Sequence, residues 1–101
     1  MERIKKDIVD ILENIKDYIQ GKNTDVTWSS FESEEDVIVT NNNHILKLRN
    51  NEFSKIDELY LLFLPTSDLQ EISISSGWGK EFLVIAEKFD NAIKDLMKKI
   101  K

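Results

Sequence analysis

A chain of 101 residues, 41% hydrophobic and 33% charged, has enough apolar material to fold around one core, and the expectation is a single domain over residues 1–101. It has no cysteine, which excludes disulfides, thiolate nucleophiles and cysteine-ligated zinc or iron–sulfur centres. Its formal net charge of −5 argues against general nucleic-acid binding, which needs a concentrated basic surface. No stretch approaches the ~20 apolar residues of a membrane span, and no signal-type apolar block follows the first residues, so a cytoplasmic protein with no membrane partner is expected. A chain of this size leaves little interior for an enclosed cofactor, so no cofactor is expected and any ligand site should be shallow.

In the first segment Ile4, Ile8, Ile11, Leu12, Ile15, Tyr18 and Ile19 recur at three- and four-residue spacing, which predicts a helix over residues 2–20. Gly21 supplies the stop, and Asn23 and Asp25 continue the turn.

From residue 25 to residue 76 the pattern alternates. Val26 and Trp28, Val37 and Val39, Leu46 and Leu48, and Ile72 and Ile74 each bracket a residue of opposite direction, as in strands. Asn41, Asn42 and Asn43 separate two of these runs, and asparagine tolerates positive φ, so a tight hairpin is expected there. The apolar run over residues 59–64 stops at Pro65 and reads as an inner strand.

The helical period then returns in Phe82, Ile85, Ala86, Phe89, Ile93, Leu96 and Ile100, predicting a helix over residues 80–99 with a lysine-rich last turn suited to its dipole. The expected fold class is therefore α+β: an N-terminal helix, an antiparallel meander of about five strands and a C-terminal helix, with the helices packed on the sheet.

In such a sheet Phe31, Ile38, Ile45, Tyr60, Leu62 and Leu64 fall on the face opposite the helices, and that apolar face is expected to meet another protein or a second copy of the chain, as in a homodimer. The acidic run Glu32, Glu34, Glu35 and Asp36 lacks the glycine and ligand spacing of a calcium loop, so no metal site is expected; Glu34 and Glu35 are expected to steer a basic partner surface. His44, the only histidine, has no identifiable triad partners, and no catalytic residue is assigned. In Ser75-Ser76-Gly77-Trp78-Gly79, the amides ahead of the last helix could receive a phosphate or carboxylate and Trp78 could stack on a ring. Ser76, Gly77, Trp78 and Gly79 are thus the alternative, ligand-binding set, although no complete phosphate-loop motif is present. The expected function is a small acidic cytosolic interaction module, not an enzyme, of the inhibitor or immunity kind; the rival is a small-molecule or anion binder using the Ser75–Gly79 turn.

Overall fold

The computed structural model describes residues 2–21, 24–27, 29–65 and 67–100. Among them it contains five helices and no strand: α1 (Glu2–Gly21), α2 (Glu34–Arg49), α3 (Ile56–Leu62), α4 (Asp68–Ser75) and α5 (Gly79–Ile100). The two terminal helices stand close to their expected bounds, but the α+β fold with its five-strand meander is overturned. The expected Asn41–Asn43 hairpin is the middle of α2, residues 59–64 wind into α3 and the turn after it, and Ile72 and Ile74 belong to α4. Asn23, Trp28 and Lys101 lie outside the described residues.

The physical reason lies in which apolar residues find a core. In α2 the buried residues are Val37, Asn41, His44, Ile45 and Leu48, a stripe at four- and three-residue spacing, while Val39 and Leu46 remain exposed. The alternation Val37–Val39 and Leu46–Leu48 is thus half core and half surface. In α3 only Leu59 is buried, and Leu61 faces solvent.

Side-chain caps fix where these helices begin. Ser33 precedes α2 in extended conformation, and its Oγ accepts the Asp36 amide at 3.1 Å; Asp36 Oδ2 accepts the Glu32 amide at 3.3 Å in return. Ser67 opens α4 in the same way, its Oγ accepting the Gln70 amide at 3.3 Å. Acids in the first turn of α2 and Lys47 and Arg49 in its last turn both oppose the helix dipole.

Two helices end in the same backbone knot. After α2 the Glu52 amide donates to the Lys47 carbonyl at 2.8 Å and the Asn51 amide to Leu48 at 3.2 Å, with Asn51 at φ 56°. After α4 the Trp78 amide donates to Ser73 at 2.8 Å and the Gly77 amide to Ile74 at 3.3 Å, with Gly77 at φ 89°. Both are Schellman turns, in which one left-handed residue lets the chain fold back onto the last carbonyls.

α1 packs against α2 and α5, and α4 packs against α5. The radius of gyration is 12.9 Å, against about 13 Å expected for a folded chain of this length, so these contacts close on one core. All five helices contribute to it: Ile8, Leu12, Ile15 and Ile19 from α1, Val37, Ile45 and Leu48 from α2, Leu59 from α3, Leu69 and Ile72 from α4, and Phe82, Phe89, Ile93 and Leu96 from α5. Phe63, just past α3, stacks on Phe89 with centroids 3.8 Å apart, and Trp78 stacks on Tyr18 of α1 at 4.8 Å while meeting Phe82 edge-on. One polar clamp crosses this interior: Asn41 Nδ2 donates to the Leu12 carbonyl at 2.8 Å, tying α2 to α1. No helix among the described residues is long and apolar enough to cross a membrane.

Candidate functional site

Helix N-termini favour carboxylates, and here the strap ahead of one acid-bearing N-terminus is tied to another. Glu34, Glu35 and Asp36 occupy the first turn of α2, and Asp68 and Glu71 the first turn of α4. Ser30 makes that tie. Its amide donates to Asp68 Oδ1 at 3.1 Å and its hydroxyl to Asp68 Oδ2, which draws the strap leading to α2 onto the start of α4. Glu32, Glu34, Glu35 and Asp36 are all exposed, and Asp68 and Glu71 half-buried. No lysine or arginine stands between Lys22 and Lys47, or between Lys55 and Lys80, so this lobe has no cation of its own along these stretches. The result is an exposed acidic run at the start of α2 whose leading strap is held to the acidic start of α4.

The remaining residues of the expected docking face sit on helices and the connections between them, most of them packed on the core. The sheet that was to align them is absent. Ile45 is only 3% exposed and belongs to the core, while Phe31, Ile38, Tyr60 and Leu62 are half-buried against it. Leu64 lines an open groove of about 330 Å³ with Phe63, Pro65, Phe82, Leu83 and Ala86, bounded by Gln70, Glu87 and Asp90.

The Ser75–Gly79 turn joins a helix to a helix, where a strand-to-helix turn was expected, and the chain itself fills it. Gly77 is the left-handed residue of the Schellman turn, and Ser76 Oγ accepts the Asp25 amide at 2.9 Å. Trp78 is 1% exposed with Tyr18 stacked on its ring, so the indole face is already occupied. Its Nε1 finds no acceptor among the described residues. A β-carbon on Gly79 would stand 3.1 Å from Ile74 Cγ1, which shows how closely α4 approaches the start of α5.

His44, which follows the asparagines of the expected hairpin, is a buried residue of α2. Burial holds its imidazole below the ordinary value of 6.5, with Lys47 acting in the same direction and Glu58 against it. The crevice it shares with Lys47, Leu48, Glu52, Lys55, Ile56 and Leu59 has a volume of about 10 Å³, too small for a substrate. Among the described residues no group of three or more histidines or acids is arranged to hold a metal ion.

Sequence reasoning missed two features. Asp7, Asp10 and Asp95 line a groove of about 480 Å³ with Ile11, Lys88, Asn91 and Ala92, where α1 meets α5. Lys5, buried on α1, pairs with Glu2 at 2.8 Å and donates to Asn51 Oδ1, which ties the end of α2 back to α1. The helical spacing of Asp7 and Asp10 was visible in the sequence; their approach to Asp95 needed the packing of α1 on α5. No protein-family model, curated protein or solved structure matches the chain.

Proposed function

We propose that the protein is a non-catalytic interaction module of the cytoplasm, of the inhibitor or immunity kind, which receives a basic partner protein on the lobe formed by Glu32, Glu34, Glu35, Asp36, Asp68 and Glu71. One observation carries this reading: Ser30 clamps Asp68 and so ties the strap ahead of the acidic start of α2 to the acidic start of α4, in two stretches of the chain that have no lysine or arginine of their own. Charges of one sign on a surface of this kind raise the encounter rate with an opposite surface, and the effect weakens as salt shortens the screening length to about 10 Å at 0.1 M.

The test begins with native mass spectrometry of the protein isolated from its own host at low ionic strength, where a stoichiometric basic protein is expected. Glu34→Lys together with Glu35→Lys should then slow association with that protein by about tenfold at low salt and leave dissociation nearly unchanged. Both side chains are exposed, so the helical circular dichroism should persist. A bound metabolite with no protein partner, or an association rate indifferent to the reversal, overturns the reading.

A further inference from the structure

The inner face of α5 is set by Phe82, Ile85, Phe89, Ile93 and Leu96, all buried. Directly opposite, on the face turned to solvent, stand Lys80, Leu83, Val84 and Glu87, spaced as one stripe of two helical turns. Leu83 is 58% exposed and Val84 56%, and they are adjacent in the chain. A polar helix face would normally place charges here.

The two charges that flank this apolar pair are themselves unmatched. Opposite charges three or four residues apart pair on a helix, as Asp90 and Lys94 do at 2.9 Å. Lys80 has Leu83 and Val84 at those distances ahead of it, and Glu87 has the same two residues behind it. Neither makes an ion pair among the described residues. The stripe therefore reads cation, apolar, apolar, anion, and its complement is the same stripe reversed.

We propose that this face of α5 binds a second copy of the chain, in an antiparallel helix pair whose two-fold axis passes between Leu83 and Val84. That axis sets Leu83 of each copy against Val84 of the other, and Lys80 of each against Glu87 of the other, so the pair gains two symmetry-related ion pairs. A parallel pair would set lysine on lysine, and the charges select against it. Leu83 and Glu87 also line, with Phe63, Leu64 and Pro65, the open groove of about 330 Å³, which gives an incoming side chain somewhere to enter. The overlap is short, because α5 begins at Gly79 and the axis lies only four to five residues into the helix. The dimer is accordingly of the weak, transient class.

Sedimentation equilibrium from about ten micromolar to about one millimolar tests this. Reversible monomer–dimer behaviour is expected for the wild type. Lys80→Glu and Glu87→Lys should each weaken it by about tenfold, because each places like charges at both symmetry-related contacts. The double reversal, Lys80→Glu with Glu87→Lys, should recover the wild-type constant, and Leu83→Asp should leave a monomer. All three substituted positions are exposed, and unchanged helical circular dichroism verifies the fold of each variant. A wild type that remains monomeric, a double reversal as weak as the single ones, or a dimer that survives Leu83→Asp overturns the proposal.

Discussion

Asn43 separates a helical middle from a hairpin by the sign of a substitution. It lies inside α2, exposed, with no side-chain hydrogen bond among the described residues, so replacing it removes no contact and the effect reduces to backbone preference. In a helix interior asparagine is about 0.6 kcal/mol less favourable than alanine, and glycine about 1 kcal/mol less. Asn43→Ala should therefore stabilise by roughly 0.5 kcal/mol, and Asn43→Gly should destabilise by roughly 0.4 kcal/mol. For a domain of this size 1 kcal/mol moves the melting temperature by about 4–8 °C, so the two variants should melt some 4–7 °C apart, alanine higher. A tight turn with positive φ reverses the order, since glycine adopts that conformation freely and alanine resists it. Thermal unfolding followed by far-ultraviolet circular dichroism decides the matter. A glycine variant that melts above the alanine variant refutes the helical account of residues 34–49.

Two further substitutions test the turn and the buried histidine. Gly77→Ala should destabilise by roughly 1 kcal/mol: a β-carbon there meets nothing within 4 Å, so the cost comes from φ 89° and is only partly offset by a stiffer unfolded chain. A urea midpoint that rises in this variant would remove the Schellman turn from the argument. His44, the only histidine, can be titrated without ambiguity by proton NMR, and its midpoint should lie below 6.5 because burial disfavours the imidazolium. A depressed folded-state value means the unfolded chain binds the proton first. The contribution of His44 to stability is then complete above about pH 6.5 and is lost as pH falls towards the folded-state value. Urea titrations of wild type and His44→Leu on either side of that window should show a steeper acid loss in the wild type; parallel curves would contradict it.

The terminal helices were legible because their stripes are almost purely apolar and long enough to show the 3.6-residue period. α2 was not, because its buried stripe passes through Asn41 and His44. A polar residue on the inner face breaks the hydrophobic period, and the β-branched residues Val37, Ile38 and Val39 then favour a strand by propensity. Yet a local signal was present. Ser33-Glu34-Glu35-Asp36 has the spacing of a capping box, and Ser67 with Gln70 and Glu71 announces α4 in a similar way. Asn50-Asn51 and Ser76-Gly77 likewise mark helix ends, since each supplies the left-handed residue of a Schellman turn. The Leu59–Leu64 run carried no such discrimination: a short continuous apolar run fits a buried strand or a helix equally, and only tertiary contact selects between them.

The candidate site divides along the same line between what is local and what is not. The charge of Glu32, Glu34, Glu35 and Asp36 is a property of the chain in any fold, and so is the absence of lysine and arginine around it. Its joining to Asp68 depends on a hydrogen bond across 38 residues of sequence, and nothing in the local pattern at Ser30 announces that bond. An apolar docking face is different in kind, because it exists only if a particular backbone points those side chains the same way. A change from strand to helix moved Ile45 into the core and left Val39 and Leu46 exposed. Charge along the chain is therefore the same in either secondary structure, while a shared apolar face is set by the helices that form.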